Sequence, residues 1–580
     1  MYLSLYTGVH RGLVTGLLCL QLIACGGGSG DPDEPGSEPK LPGNVGGEGD
    51  IFDPTRVLDI DLTLSSSEYD SLRREGRSLA ETSRECMSEY EYTDFQATVT
   101  IDGTTMRDVS VRKKGFLGSL SSVRPSFKLD FDQFHDDRTY QHETRMTLNN
   151  NRQDISNLRQ CLAYDLFRDA GLPAPRCNFA RVSVNGEALG IYTHVEPIKK
   201  PFLARVFGDD DGNLYEAQLS DFGVHLSDRF EMKTNEKEND RGDLAAVAAA
   251  LDLPDDELIA ALSAHLDLDE FIRYWALETL TGTWDSATGN ANNFFLYHSP
   301  VDDRFHFIPW GADTAFVGAH FLKPGAGPLY RDFRLADRLY SLDTYRAQYF
   351  ETINDYLDTL WDEAALNAKI DAWAALTGAT ESDLSALRSF ISGAEGVRSQ
   401  RELLLSAIAG LEPAQTVTVL EDSAPDCTAR PTSNLSLDVT SQNNANSGSF
   451  QFTLPSGAAV NGWVDLSAQS IDSVNTALDA STQPPTRQLV ISGVDLNNPY
   501  QPYSVVLLIE EPHYRTGTES FQGFADTIMV YKVDAADPRP ETSTLIALGH
   551  RGSIQIHSRG SADDDVRLQI NGSIEFLSGD

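Results

Sequence analysis

Between Trp284 and Asp313 the chain reads WDSATGNANNFFLYHSPVDDRFHFIPWGAD, and its residue types are the ones best suited to chemistry. Asp285 opens the stretch, Asn290, Asn292 and Asn293 follow, and Asp313 closes it. In between, Phe294 to Tyr297 form a short aromatic run, Ser299, Pro300, Asp302 and Asp303 supply turn chemistry, and Phe305, Phe307 and Ile308 begin a second run. This pattern predicts a hairpin. Paired strands bring the two ends of a hairpin side by side, so Asp285 and an asparagine can face Asp313 although they are distant in sequence. Two carboxylates and an amide oxygen that converge form a ligand set for a hard divalent cation.

The order of these parts suggests a reaction. A carboxylate that accepts a substrate hydroxyl proton, an asparagine on magnesium, a hairpin, and then a carboxylate on the metal is the order found in protein kinases. In that reading Asp285 is the base or orienter and Asp313 a metal ligand. A conventional protein kinase is excluded, because no His-Arg-Asp precedes Asp285 and Asp313 stands in Trp-Gly-Ala-Asp. The competing reading is that the asparagines cap turns and both aspartates cap backbone.

Elements that would position such a site can be traced on either side. Val57 to Leu64 alternates as a strand, Ser65-Ser-Ser-Glu68 signals a helix start, and Phe95 to Val111 reads as a hairpin turning at Asp102-Gly103. Gly115 and the small residues after it can lie near phosphates, with Lys128 on the strand Ser126 to Phe131 as the nucleotide-binding cation and Arg112 and Lys114 as competing candidates. Asp154 to Ala170 has helical periodicity and ends at Gly171 and Pro173. No glutamate within it is placed to pair with a lysine. Glu196, at the end of a predicted strand, can serve near the adenine or the lysine, or equally as a capping or salt-bridge residue. Asp269 to Leu280 predicts an apolar helix that feeds Asp285 directly, and Tyr345 to Trp361 and Leu387 to Leu411 read as further helices.

Several blocks together resemble the spore coat protein H (CotH) kinase-like family. They are Arg112 to Gly115 with Arg124-Pro-Ser-Phe-Lys128, Leu148-Asn-Asn-Asn151 leading to Asp154, Leu158 and Arg159, and Gly171-Leu-Pro-Ala-Pro175. Val184-Asn-Gly186, Gly190-Ile-Tyr192, Glu196 and the Trp284 to Asp313 segment follow in the family's order. The resemblance implies an atypical protein-kinase-like two-lobe domain, ATP as phosphoryl donor, Mg2+ or Mn2+, and transfer to protein Ser or Thr hydroxyls. Asn290 has the five-residue offset of ordinary kinases, whereas Asn292 and Asn293 match the family's Asn-Asn-aromatic block and are the metal-ligand candidates. A catalytically idle envelope scaffold or adhesion protein is the alternative, and nucleotide transfer is a third.

Composition bounds these readings. A chain of 580 residues with 41% hydrophobic residues has room for two or three folded domains. Its 86 acidic against 46 basic side chains, a formal charge of -40, oppose nucleic-acid binding. Arg11 followed by the apolar run Leu13 to Ala24 fits a secretory signal, and Leu22-Ile23-Ala24-Cys25 resembles a bacterial lipobox, with Cys25 as the lipidated residue. This implies an exported, membrane-anchored lipoprotein, at the outer membrane or cell surface, on a Gly-, Pro- and acid-rich tether over residues 25–50.

The kinase-like domain is placed at 51–412, a linker at 413–434 and a β-rich domain at 435–580. The fold class is therefore α+β, with a smaller β-sandwich-like C-terminal domain that can meet an envelope or surface partner. Cys86, Cys161, Cys177 and Cys427 permit two disulfides, of which Cys161 with Cys177 is favoured because the Gly171 to Pro175 turn can bring the chain back. Asp221-Phe222-Gly223 spells a kinase metal triad ahead of the proposed base, the wrong order, and is set aside. Arg241-Gly242-Asp243 is read as a helix start and Asp209 to Asn213 as a turn.

Overall fold

The computed structural model describes residues 44–45, 49–82, 90–238, 240–318, 320, 325–410, 412–416, 420–425, 427–442, 445–465, 474–521, 526–533, 543–559 and 565–577. The predicted signal, the lipobox with Cys25, most of the tether and Cys86 lie outside the described residues. Among those described, no helix is long and apolar enough to cross a membrane.

Seven strands form the first lobe: β1 (Val57–Thr63), β2 (Phe95–Ile101), β3 (Thr104–Lys114), β4 (Ser126–Asp130), β5 (Arg145–Asn149), β6 (Cys177–Val184) and β7 (Glu187–Val195). They close into a barrel in the order β1-β2-β3-β4-β5-β7-β6, sealed by parallel pairing of β1 with β6. Asp102 and Gly103 both take positive φ, which the tight β2–β3 turn demands. Strand alternation decides what faces where. Val109, Val111, Phe127 and Leu129 fill the interior. Arg112, a cross-strand partner of Lys128, therefore lies with Lys128 and Lys114 on the outer face.

The second lobe combines helices with a sheet ordered β9-β8-β10-β11, from β8 (Asn213–Glu216), β9 (Glu231–Met232), β10 (Phe294–Ser299) and β11 (Arg304–Pro309). Helix α1 (Arg159–Asp169) joins the lobes, and Cys161 on it is disulfide-bonded to Cys177 at the start of β6. Cys427 is also disulfide-bonded. Helix α2 (Leu268–Thr281) begins at Asp267, whose carboxylate accepts the N–H groups of Asp269 and Glu270, and its Trp275 stacks on Tyr349 at 3.8 Å in the core.

Two helix expectations are corrected. The segment from Asp154 starts as a turn and becomes helical only at Arg159, because the Asp154 carboxylate takes the N–H groups of Ser156 and Arg159. The single helix expected from Leu387 onward is replaced by two, Glu381–Ser392 and Gln400–Ala409, broken where Gly393 takes φ 76°.

The expected C-terminal sandwich is a barrel. Its strands are β12 (Thr432–Gln442), β13 (Ala445–Thr453), β14 (Ala459–Asp465), β15 (Thr486–Asp495), β16 (Asn498–Glu510), β17 (Thr527–Lys532), β18 (Thr544–Arg559) and β19 (Val566–Phe576). They form a closed antiparallel ring ordered β14-β13-β12-β19-β18-β17-β16-β15, shut where Gly462 and Trp463 pair with Asp495 and Val494. Alternating strands look alike in a sandwich and a small barrel, and only that β14–β15 pairing distinguishes them. Leu437, Phe450, Ile491, Val505, Val530 and Ile570 help fill the interior.

The outer wall of this barrel packs on the first lobe. Leu79 and Ala80 sit against Val506, Met529, Tyr531, Leu545 and Leu548.

Candidate functional site

The β10–β11 register runs from Phe294 opposite Pro309 to Ser299 opposite Arg304. Asn292 and Asn293 therefore enter the hairpin where Trp310 to Asp313 leave it, and the Trp310 N–H donates to the Asn293 carbonyl at 3.1 Å. The loop before the hairpin is tightly wound. Glu278, buried on α2, accepts the N–H groups of Ala287 (3.1 Å) and Thr288 (2.8 Å) and the Thr288 hydroxyl (2.6 Å), capping the short helix Ala287–Asn290. A Cβ at Gly289 would lie 2.1 Å from the Trp284 carbonyl oxygen, so only glycine fits the turn. Ala291 and Asn293 both adopt positive φ. Such conformations persist where surrounding structure holds them, often at functional sites.

Within this loop Asn290 Nδ2 donates to Asp285 Oδ1 at 2.7 Å and Asn292 Nδ2 to the same oxygen at 3.0 Å. Asn293 Nδ2 donates to the Asp285 carbonyl at 3.3 Å. Burial raises the Asp285 carboxyl above its ordinary range, and the Asn292, Asn290 and Asn293 amides hold it back. Asp313 follows Gly311 in the turn Ala312–Thr314, and the Phe316 N–H to Thr281 carbonyl bond (2.7 Å) ties this segment to the end of α2. Burial, then the nearby charge of Asp285, push Asp313 up to about 7, while Lys114 pulls it down. The charge of Asp285 thus acts on Asp313, as one carboxylate does on another nearby.

The residues fit a divalent cation. A positive ion would relieve the repulsion between the two carboxylates. Asn290 Oδ1 is buried without a hydrogen-bond partner among the described residues, an orphan acceptor suited to a hard ion. Asn292 Oδ1 accepts the Leu219 N–H at 3.3 Å, and the Asn293 side chain lies against Gly311. Asp313, Asn290, Asn292 and Asn293 are therefore the ligand candidates. The buried Asn290 oxygen, which the sequence had ranked behind its neighbours, is the acceptor most in need of a partner.

The first lobe contributes cations from its outer face. Lys114 donates to Asn149 Oδ1, and Asn149 Nδ2 in turn donates to Gln160 Oε1 of α1 at 2.8 Å. Its ammonium stands 5.7 Å from the centroid of the Trp310 ring. Burial lowers Lys114 to about 8, against the pull of Asp313 and Glu216. Lys128 is lowered further by burial and then by Arg112, with Glu216 opposing. Glu216, at the end of β8, is held ionised by Lys233 (2.8 Å) and Lys128 despite its burial. The nearby negative charge felt by both lysines thus comes from a strand of the second lobe, whose Glu216 is itself paired with Lys233.

Glu196 is corrected. Its carboxylate is committed to arginines: Arg176 contributes its N–H (2.8 Å) and guanidinium (2.8 Å), and Arg205 bonds both oxygens at 3.0 and 2.6 Å. The salt-bridge alternative is the one realised. Asp221 of the Asp-Phe-Gly triplet takes the N–H groups of Phe222 (2.7 Å) and Arg334 (2.8 Å), an anchoring role at the start of helix Arg334–Ser341. Glu216 and Glu278 were missed by sequence reasoning, since their partners come from other segments or follow no local motif.

A family profile described as CotH kinase protein matches residues 111–400, half of the chain. Inner spore coat protein H of Bacillus subtilis (strain 168) is 27% identical over 196 residues, covering 32% of this chain and 53% of that protein. Invasin CotH7 of Rhizopus delemar is 25% identical over 240 residues, 38% of this chain and 40% of that one. The chain thus spans about half the length of the curated relatives it matches. A solved structure, the Helicobacter pylori proinflammatory kinase CtkA, aligns with 51% of this chain and 95% of its own at 12% identity and a TM-score of 0.27.

Proposed function

Because the chain belongs to the CotH kinase protein family, we propose that it transfers the γ-phosphoryl group of ATP to a Ser or Thr hydroxyl of a protein. The observation that carries this reading is geometric: Lys114 of the first lobe stands 5.7 Å from the ring of Trp310, three residues before Asp313, and at the other arm of the same hairpin Asn290 and Asn292 hold Asp285. Lys114 and Lys128 neutralise phosphate charge. Asp285 receives the hydroxyl proton as the hydroxyl oxygen bonds to phosphorus and the bond from phosphorus to the β–γ bridging oxygen breaks, leaving ADP. Asn290 and Asn292 occupy Oδ1, and we assign Oδ2 to the incoming hydroxyl. The role of Asp285 is mainly orientation, since phosphoryl transfer depends on positioning and charge more than on covalent help. Mg2+ or Mn2+, held by Asp313 with Asn290, Asn292 or Asn293, would supply charge neutralisation at the phosphates.

We place the protein in the cell envelope as a lipoprotein anchored through Cys25. The Cys161–Cys177 disulfide supports an oxidising compartment. Cys25→Ser protein that still fractionates with membranes would remove the anchor from this reading.

Lipid-free protein incubated with labelled ATP and Mn2+ tests the chemistry. Labelled protein is expected, with the mass of the product showing an added phosphoryl rather than nucleotidyl group, and Asp285→Ala and Asp313→Ala should abolish it. Incorporation that persists in both variants rejects the site. No nucleotide binding with any metal would leave the idle-scaffold alternative.

A further inference from the structure

The C-terminal barrel grips the loop that follows Lys114. Residues 115–125 join β3 to β4 and begin immediately after that lysine. Glu510, the last residue of β16, is 0% exposed, and its Oε2 accepts the Ser122 N–H (3.1 Å), the Ser122 hydroxyl (3.2 Å) and the Val123 N–H (3.3 Å). A second contact comes from Gln483, just before β15. Its Oε1 accepts from the Arg124 guanidinium, its Nε2 donates to the Asp154 carbonyl at 3.1 Å, and its N–H donates to the Arg152 carbonyl at 2.9 Å. From the other side Asn150 Nδ2 donates to the carbonyls of Ser119 (2.9 Å) and Arg124 (2.6 Å). The loop is compact: a Cβ at Gly118 would lie 1.9 Å from Gln153 Oε1, and one at Gly115 would lie 2.5 Å from Ser119 Oγ.

Glu510 is itself held in place. Its N–H donates to Asp526 Oδ1 at 2.9 Å, and Asp526 Oδ2 pairs with His513 Nδ1 at 2.7 Å. Glu510, His513 and Asp526 offer ligand atoms within 4.8 Å of one another, a spacing that a metal ion could use. Positive charge is already present, however. Arg152 Nε lies 3.7 Å from Glu510 Oε1, and the buried Lys113 ammonium, which donates to the Arg73 and Glu75 carbonyls, is attracted to both Glu510 and Asp526. These charges join barrel and first lobe in one internal ion network, in which Glu510 Oε1 keeps no hydrogen-bond partner among the described residues.

We propose that Glu510 and Gln483 are positioning residues for nucleotide binding: the barrel fixes the 115–125 loop and so holds Lys114 where its ammonium meets Asn149 and the Trp310 ring. The proposal rests on the reading of the cleft as an ATP site. Lys113 and Lys114 point to opposite faces of one strand, so a loop anchored at Ser122 and Val123 constrains both ammonium groups. A hydrogen bond to a charged group is among the stronger ones, and losing it at this loop should be felt in ATP affinity.

The test uses the full chain with Glu510→Gln and Gln483→Ala. Michaelis parameters for ATP are read beside hydrogen exchange of residues 115–125 and the melting temperature. The expected result is a KM for ATP raised about tenfold, with kcat changed by less than about threefold, and faster exchange at Ser122 and Val123. A role in stability alone would lower the melting temperature and leave KM unmoved. If Glu510→Gln fails to fold, Gln483→Ala carries the same test through Arg124. Unchanged KM in a folded variant, or exchange that stays slow, overturns the proposal while leaving the cleft reading intact. Wild-type protein that binds no ATP overturns both, and is recognised before any variant is made.

Discussion

Gly311 packs directly on the Asn293 side chain where the two arms of the hairpin end, and Gly311→Ala tests whether that approach matters. Its φ is 55°, and a Cβ there would stand 2.7 Å from Asn293 Cγ and 2.9 Å from both terminal atoms of that amide. The left-handed backbone alone costs alanine about 1 kcal/mol. The Asn293 side chain must also move, giving up its 3.3 Å bond to the Asp285 carbonyl, which adds roughly 1 kcal/mol. The expected loss of stability is about 2 kcal/mol, and the loss of activity is larger, about 100-fold, because a displacement near 1 Å at reacting groups is costly. Gly378→Ala is the control: it has φ 78° and open space around the added carbon, so it meets the strain without the collision. Both variants would be compared with wild type by denaturant unfolding and by ATP-dependent labelling of protein. If Gly311→Ala loses no more activity than Gly378→Ala, the close packing of Asn293 on Gly311 has no part in catalysis.

Asp313 gives a pH prediction. Its carboxyl lies at about 7 in the folded protein against an ordinary 3.8, so the folded state holds the proton more tightly than the unfolded chain. Its contribution to stability therefore declines as pH rises from near 4 to near 7. A divalent cation needs the ionised form, so apparent Mn2+ affinity should rise about tenfold from pH 6 to pH 8. Asp313→Asn should flatten both trends, and pH-independent Mn2+ binding in calorimetry would contradict the assignment. The disulfide gives another prediction: Cys161 and Cys177 are 16 residues apart, and Cys161→Ala should lower stability by about 3 kcal/mol. An unfolding midpoint that does not move when wild type is reduced would show that the bond contributes nothing.

What the sequence revealed was local in origin. The hairpin from Phe294 to Pro309 could be read because its two runs and its turn are contiguous, and its register then places Asn293 beside Gly311. The cationic strand face was legible as candidates only. Choosing among Arg112, Lys114 and Lys128 needs the second lobe, where Asp313 acts on Lys114 and Glu216 on both lysines. Glu278 gave no signal within its predicted helix, since the N–H groups it caps are supplied by a later turn. Glu196 lay in a matching block, but its direction is set by Arg176 and Arg205, which no spacing rule connects to it. Barrel closure escaped for a similar reason: alternation fixes which face of a strand is buried and says nothing about whether the outermost strands meet.

Both rings of strands are sewn together by their extremities. β1 pairs with β6 in the first lobe, and β12 pairs with β19 in the C-terminal barrel, so each cylinder joins its early strand to one made much later. Such long-range closure slows folding and leaves partly made chains with unpaired rims. The grip of Glu510 on the 115–125 loop can form only once most of the polypeptide has been made. The cleft would then be matured last, a built-in delay between synthesis and competence.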